Sequence, residues 1–229
     1  MPELRQRLVD AARRMASEGL NKGTSGNLSV RAEENGISGY LITPTGISCD
    51  TLSSSDIVFM ALHGVFGETP ENGRKPSSEW RFHRDIYARR PEARAVLHAH
   101  SPFATALACL RRNIPPFHYM IARFGGDSVL CANYATFGTQ ALSDAALDAL
   151  KDRTACLLAN HGQLVFGQSP EHALALGVEL ETLCEQYWRA CQLGEPTLLS
   201  AEEMRVILEK FSHYGQQSSQ CSVCPPRSC

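Results

Sequence analysis

The chain has 229 residues, of which 43% are hydrophobic and 20% are charged, and its formal net charge is −2. This composition is that of a globular protein, and the charge excludes the basic surface that binding to nucleic acid requires. No apolar run approaches the ~20 residues that cross a bilayer, and the charged N-terminus lacks the apolar core of a signal peptide. We therefore expect a cytoplasmic protein that binds neither nucleic acid nor membrane.

Hydrophobic periodicity predicts strands early in the chain, with helices around and after them. The predicted strands cover residues 28–31, 40–43, 56–62, 95–100 and 155–160, and the first two form a hairpin that turns at Glu34-Asn35-Gly36. The predicted helices cover residues 2–18, 78–89, 139–151, 170–193 and 200–211, and another, rich in alanine, follows Ser101-Pro102. Ser78 is expected to cap the helix that begins there.

This order of elements predicts a single α/β domain with three layers, α/β/α, around a mostly antiparallel central sheet. Two small domains are the alternative. The domain is expected to span residues 1–215, and the composition of residues 216–229 predicts a flexible tail. That tail contains Cys221, Cys224 and Cys229. The Cys221-x-x-Cys224 spacing also allows a metal site or a disulfide, but the tail supplies no second pair of ligands.

Three histidines stand at positions that predict a metal site. His98 and His100 lie two residues apart at the end of a predicted strand, so both imidazoles point to the same face. His161 ends another apolar strand and precedes a glycine. Three firm ligands and one replaceable position are typical of a catalytic divalent metal such as zinc. Glu79 is either a fourth ligand or a base that substrate displaces from the metal, and spacing alone does not separate these roles.

Three short loops rich in glycine and hydroxyl groups predict an anion site. They are Gly23-Thr24-Ser25-Gly26-Asn27, Thr43-Pro44-Thr45-Gly46 and Pro76-Ser77-Ser78. Glycine lets the backbone approach a phosphate closely, and amides, hydroxyls and the free N–H groups of a helix start donate hydrogen bonds to it. No loop matches the P-loop or the dinucleotide fingerprint. Because the third loop adjoins Glu79, the sequence predicts a phosphate pocket beside the metal.

Together these motifs resemble the class II aldolase/adducin family. The matching segments run from residue 23 to residue 215 and read GTSGNLSVR, LITPTGI, PSSEW, VLHAHSPFATALA, IPPFHYMIARFGG, YATFGT, LLANHG and VILEKFSHYG. The H-x-H pair with a distant N-H-G is specific to this superfamily, and HYMIA with YATFGT is similar to its sugar-phosphate aldolases. Adducin-like members without activity lack the metal set, which is intact here.

The resemblance implies roles for the matching residues. His98, His100 and His161 would hold one zinc ion, joined by Glu79 until substrate arrives. The residues that would bind the substrate phosphate are Gly26, Asn27, Thr45, Gly46, Ser77 and Ser78.

The resemblance also implies a fourfold-symmetric homotetramer with active sites between subunits. Tyr119 and Tyr214 would line the active site, and Tyr214 would come from the tail of a neighbouring subunit. Phe137 and Phe211 match aromatic residues near the aldehyde end of the substrate.

The implied reaction is the reversible retro-aldol cleavage of a ketose 1-phosphate to dihydroxyacetone phosphate and an aldehyde, with L-fuculose 1-phosphate as the expected substrate. Zinc would stabilise the enediolate formed as the C3–C4 bond breaks. Tyr119 would remove the C4 hydroxyl proton, and Glu79, freed from the metal, would protonate the enediolate carbon.

Several alternatives stay open within and outside this reaction class. Relatives with near-identical catalytic residues cleave 5-deoxyribulose 1-phosphate or 5-methylthioribulose 1-phosphate. An L-ribulose-5-phosphate 4-epimerase would use the same zinc chemistry, although that branch has aspartate where this chain has Glu79. A sugar-acid phosphate decarboxylase and a non-catalytic adducin-like module are the remaining candidates.

Overall fold

A computed structural model of the chain describes residues 1–63 and 73–212. Within these residues, the centre is a seven-stranded sheet with the order β3-β2-β1-β4-β7-β6-β5. Neighbouring strands are antiparallel except for β5 and β6, which are parallel. The strands are β1 (Asn27–Glu34), β2 (Ile37–Ile42), β3 (Val58–Ala61), β4 (Ala95–Ala99), β5 (Leu130–Ala132), β6 (Ala155–Leu158) and β7 (Gly162–Gly167).

Helices cover both faces of this sheet. Those described are α1 (Pro2–Ser17), α2 (Trp80–Arg89), α3 (Pro102–Cys109), α4 (Gln140–Ala149), α5 (Pro170–Leu193) and α6 (Ala201–Ser212). One hydrophobic core joins α1, α3 and α5 to a face that includes Leu97, and a second joins α2 and α4 to the face that includes Val96. Neighbouring residues of a strand point to opposite faces, so Val96 and Leu97 belong to different cores. The predicted three-layer α/β/α fold is confirmed.

The predicted hairpin is formed by β1 and β2. Asn35 and Gly36 have φ angles of 52° and 76°. A two-residue turn that joins twisted antiparallel strands requires positive φ at both central positions, which asparagine and glycine tolerate best. The other edge of β1 pairs with β4, where Asn27 lies opposite His98. This register brings the glycine-rich loop before β1 next to the strand that carries the histidine pair.

The structure differs from the prediction at two strands and one helix start. β5 has three residues and β7 directly follows the turn after β6, so neither gives a separate periodic run. The helix predicted from residue 78 begins at Trp80, with Glu79 at its N-cap position. Ser78 is therefore not the cap. The Ser77 carbonyl instead accepts from the Trp80 N–H, and this turn sets the position of Glu79.

Two predictions concern residues outside the described ranges. They are the flexible tail over residues 216–229, with its three cysteines, and the end of the domain at residue 215. Both stay predictions. None of the described helices has both the length and the apolar composition that crossing a membrane requires.

Candidate active site

Four side chains from three segments of the chain meet at one end of the sheet. His98 lies in β4 and His100 just after it, His161 lies between β6 and β7, and Glu79 precedes α2. One ligand atom from each residue lies within 4.8 Å of the others. The two carboxylate oxygens of Glu79 each lie 3.2 Å from an imidazole Nε2 atom, Oε2 from that of His98 and Oε1 from that of His161. The Nε2 atoms of His98 and His100 are 2.9 Å apart.

Burial keeps these imidazoles neutral. It lowers the pKa of His98 to about 3 and the pKa of His161 to about 4, and it also lowers the pKa of His100. A neutral imidazole has one bare nitrogen. His98 donates its Nδ1–H to the Gln163 backbone carbonyl at 2.8 Å, because a carbonyl only accepts. The bare nitrogen of His98 is therefore Nε2, the atom that faces the rest of the cluster.

The cluster fits a divalent cation. The bare Nε2 of His98 faces a Glu79 oxygen, a contact between two acceptors that is repulsive with nothing between them. Glu79 Oε1 is buried, and no described residue forms a hydrogen bond with it. A cation placed between these atoms would convert both features into ligand bonds. Three imidazole nitrogens and a carboxylate are a donor set that zinc accepts.

Backbone geometry brings His161 to the other ligands. Asn160 has a φ angle of 54°, a left-handed conformation that turns the chain sharply between β6 and β7. An added Cβ at Gly162 would lie 2.4 Å from the Ala99 carbonyl oxygen, so glycine lets this turn pack against the end of β4. The imidazole rings of His100 and His161 are consequently held with centroids 4.8 Å apart.

A cavity of about 390 Å³ opens beside the cluster, and Glu79, His100 and His161 form part of its wall. Parts of all three loops that were predicted to bind an anion also line it. Five of the six residues assigned to the phosphate line this cavity, namely Gly26, Asn27, Thr45, Ser77 and Ser78. Gly46 does not. The metal candidate and the anion loops therefore share one cavity.

The resemblance places four aromatic residues near the substrate, and three of them lie in the described part of the chain. Tyr119 begins a 3-10 helix, Tyr119–Phe124, is 50% exposed and is not among the residues that line the cavity of its own chain. Phe137 lines the cavity, whereas Phe211 packs against the hydrophobic core. Tyr214 lies outside the described residues. Of the three described residues, Phe137 alone lines the cavity of its own chain.

Sequence reasoning missed three residues at or behind the cavity. Tyr134 and Asn160 line it, and both stand inside the segments YATFGT and LLANHG. His83, interpreted as an ordinary histidine, is fully buried and hydrogen-bonds to Asn27 in the cavity wall. One signal was present in the sequence, because residues four apart on a helix share a face and His83 follows Glu79 by four.

The chain matches a known protein family over most of its length. A family model described as the class II aldolase and adducin N-terminal domain matches residues 6–188. The chain belongs to the class II aldolase/adducin family. It is 52% identical over 215 residues to the 5-methylthioribulose-1-phosphate/5-deoxyribulose-1-phosphate aldolase of Rhodospirillum rubrum, covering 94% of each chain. It is 46% identical over 214 residues to the L-fuculose phosphate aldolase of Escherichia coli, covering 93% of this chain and 96% of that one.

A solved structure gives the same result. An L-fuculose 1-phosphate aldolase superposes with a TM-score of 0.83 and 41% identity, over 92% of this chain and 96% of that one. The resemblance drawn from the motifs is therefore confirmed, and the protein is an enzyme of the lyase class, a class II aldolase. Aldolases of this class depend on a metal, and the histidine and glutamate cluster is a site that could hold one.

Proposed function

We propose that the protein is a zinc-dependent aldolase that reversibly cleaves a ketose 1-phosphate to dihydroxyacetone phosphate and an aldehyde. The observation that carries this proposal is the convergence of Glu79, His98, His100 and His161 at the wall of a cavity that is also lined by hydroxyl-rich loops. A metal site and an anion site in one cavity are what a phosphorylated, metal-activated substrate requires. The aldolase names of relatives that match nearly the whole chain support the same reaction.

The four converging residues are the proposed metal ligands. When bound, zinc supplies a Lewis acid that polarises the ketose oxygens and stabilises negative charge during carbon–carbon cleavage. The part played by the chain is to hold the ligands in place. The Gln163 carbonyl fixes the tautomer of His98, and β4 is held on both edges by its pairing with β1 and β7.

The phosphate is proposed to bind at Gly26, Asn27, Thr45, Ser77 and Ser78, which line the cavity, with Gly46 next to Thr45 just outside the lining. An added Cβ at Gly26 would lie 2.0 Å from the Asn21 amide nitrogen, and its φ angle is 74°, so this tight loop requires glycine. Among the described lining residues there is no lysine or arginine. Amide and hydroxyl donors, with the free N–H groups at the start of α2, would therefore recognise the phosphate.

Glu79 and Tyr119 are the proposed proton carriers, and Tyr214 is a third proposed catalytic residue that lines the active site. In the cleavage direction, Tyr119 takes the proton from the C4 hydroxyl. Glu79, once protonated, delivers a proton to the carbon that the departing aldehyde leaves behind. Exchange with solvent removes the proton from Tyr119 and returns one to Glu79, so the substrate loses one proton and gains one in each turnover. Because Tyr119 is exposed and does not line the cavity of its own chain, we propose that it serves a neighbouring subunit. Tyr214 is proposed to do the same, and the assembly to be a homotetramer.

A site shared between subunits predicts complementation between two inactive variants. Tyr119→Phe and Glu79→Gln are each expected to lose most activity. Coexpressed as a mixed oligomer, they should regain about a quarter of wild-type activity, because random assembly places an intact Glu79 beside an intact Tyr119 in that fraction of sites. The measurement is the specific activity of oligomers purified through two different tags. Mixed oligomers as inactive as their parents would place Tyr119 in its own chain or outside the site.

The aldehyde fragment is proposed to be recognised loosely. The two named relatives act on 5-methylthioribulose or 5-deoxyribulose 1-phosphate and on L-fuculose phosphate, and both are similar to this chain over more than nine tenths of its length. Phe137 and Tyr134 give the cavity an aromatic wall. An apolar wall distinguishes a methyl from a larger apolar group by only about 1–3 kcal/mol. We therefore propose that several 1-phosphates are substrates, L-fuculose 1-phosphate among them.

The test is product analysis with three substrates. L-fuculose, 5-deoxyribulose and 5-methylthioribulose 1-phosphates should each release free dihydroxyacetone phosphate, with kcat/KM values within about 200-fold of one another. An enzymatic assay for dihydroxyacetone phosphate measures the release. L-ribulose 5-phosphate is the control substrate, because an epimerase would convert it to a second pentose phosphate without releasing a fragment. Epimerisation in place of cleavage would refute the proposed function.

A further inference from the structure

A chain of buried hydrogen bonds extends from Glu79 away from the cavity. Asn27 Nδ2 donates to Glu79 Oε2 at 3.0 Å, and Asn27 Oδ1 lies 2.5 Å from His83 Nε2. His83 Nδ1 lies 2.6 Å from Ser29 Oγ, which lies 2.8 Å from the Tyr87 hydroxyl. All five side chains belong to buried residues, and His83 and Ser29 are completely inaccessible to solvent. The reaction proposed above gives no role to His83, Ser29 or Tyr87.

The donors and acceptors of these five groups allow only one direction of hydrogen bonding along the series. A carboxylate only accepts hydrogen bonds, so Asn27 must present its NH2 group to Glu79 and its carbonyl oxygen to His83. That oxygen also only accepts, so His83 carries its hydrogen on Nε2. Burial lowers the pKa of His83 well below 6.5, so the ring is neutral and Nδ1 is an acceptor. Ser29 therefore donates to His83 and accepts from Tyr87.

The consequence concerns the two oxygens of Glu79. Oε2 is anchored by Asn27, whereas Oε1 is buried without a hydrogen-bond partner among the described residues. A flipped Asn27 amide would oppose its oxygen to Oε2, and the His83 N–H opposes this flip because it requires an acceptor. One oxygen of the carboxylate is thus held in place while the other is free to exchange partners. A group that must leave a metal and then transfer a proton needs this kind of pivot.

We propose that His83 is a positioning residue for catalysis, which fixes the Asn27 amide so that Glu79 is anchored through one oxygen as it moves between metal and substrate. The inference rests on the proposed function, because it assigns His83 a role in the turnover step of that aldolase. It also gives His83 an effect on turnover that a core residue which only stabilises the fold would not have. The side-chain amide of Asn27 is engaged by Glu79 and His83, and the phosphate has other proposed contacts, so loss of His83 is expected to lower kcat more than it changes KM.

The matched variants are His83→Gln and His83→Asn. A glutamine places an amide nitrogen near the position of Nε2 and keeps a donor toward Asn27, whereas an asparagine reaches only toward Ser29. His83→Asn is expected to lower kcat by about 10- to 100-fold, the usual cost of losing a partner that orients a metal ligand, with KM for the ketose 1-phosphate within about twofold and zinc content unchanged. His83→Gln is expected to recover most of that loss. Ser143→Ala, which removes a buried hydrogen bond to Asp85 elsewhere on α2, should lower Tm and leave kcat unchanged.

Combination with Glu79→Gln distinguishes positioning from general destabilisation. If His83 acts through Glu79, His83→Asn causes no further loss of kcat in the Glu79→Gln background, since the effects of coupled residues do not multiply. Multiplicative losses would overturn the proposal, as would equal losses of kcat in His83→Asn and His83→Gln that follow the change in Tm.

The tautomer of His83 can also be measured in the wild-type protein, so this test does not depend on whether a variant folds. Nitrogen-15 chemical shifts of His83 should report the tautomer with hydrogen on Nε2, and the Nδ1–H tautomer would overturn the inference. The two proposals also fail separately. A wild-type enzyme that cleaves none of the three 1-phosphates overturns the proposed function, and the role of His83 in it. A wild type that cleaves them while His83→Asn keeps its full kcat overturns the role of His83 alone.

Discussion

Replacing Glu79 with glutamine is expected to lower kcat by about 10²–10⁴-fold, the usual contribution of a positioned general acid or base. Glutamine keeps the size of the side chain and can still accept the hydrogen bond that Asn27 donates. It cannot deliver or take up a proton at the reacting carbon. The fold should be retained, because the Glu79 side chain makes no capping hydrogen bond to α2, which begins after this residue. Steady-state kinetics and circular dichroism measure the two effects.

The control for this substitution is Glu33→Gln. Glu33 is exposed on β1, far from the cavity lining, so the same chemical change there should leave kcat unaltered. Zinc content must be determined for both variants, because Glu79 is also a proposed ligand. A Glu79→Gln enzyme that retains wild-type turnover would eliminate the proton-transfer role. A variant that loses zinc and recovers full turnover when zinc is added would reduce Glu79 to a metal ligand.

Removing the metal is expected to abolish turnover, with a loss of at least about 10³-fold, because charge stabilisation at the developing carbanion is usually the largest catalytic term. Dialysis against a chelator should give an inactive protein, and stoichiometric Zn²⁺ should restore activity. The apoprotein should also be less stable, since a ligand that binds only the folded state stabilises it. Activity, bound zinc and Tm are measured along one zinc titration.

Two histidine variants sharpen this experiment. His161→Ala removes a proposed ligand and should prevent both zinc binding and reactivation. His172→Ala is the control, because His172 is an exposed residue on α5 whose Nδ1 accepts a backbone hydrogen bond from Gln168. An enzyme that keeps full activity after complete removal of metal would refute the metal-dependent mechanism. Equal zinc binding by both variants would place the metal elsewhere.

Much of the fold was predictable because it is encoded in local periodicity. The first hairpin carries its own turn signal in Asn35 and Gly36, and the long helix α5 begins with serine and proline, which cap and start helices. β5 and β7 were missed because a three-residue strand and a strand directly after a tight turn give little periodic signal. Both exist because neighbouring strands satisfy their hydrogen bonds, a long-range effect.

The candidate site was likewise predictable where it depends on local spacing and not where it depends on long-range contacts. The strand-end spacing of His98 and His100 is a local pattern, and the structure brings His161 and Glu79 to it. Whether Gly46 faces the cavity depends on the path of its loop, which spacing does not specify. The role of His83 was hidden because its partners, Ser29 and Asn27, precede it by more than fifty residues. The buried network forms only because the fold packs β1 against α2.

Anomalous X-ray diffraction from zinc-loaded crystals, recorded on both sides of the zinc absorption edge, is the most direct test of the account. We expect one strong peak per chain, about 2.0–2.2 Å from an imidazole nitrogen of each histidine and from a Glu79 oxygen. The three histidines are His98, His100 and His161. A zinc peak bound elsewhere, with these imidazoles directed away from one another, would contradict it.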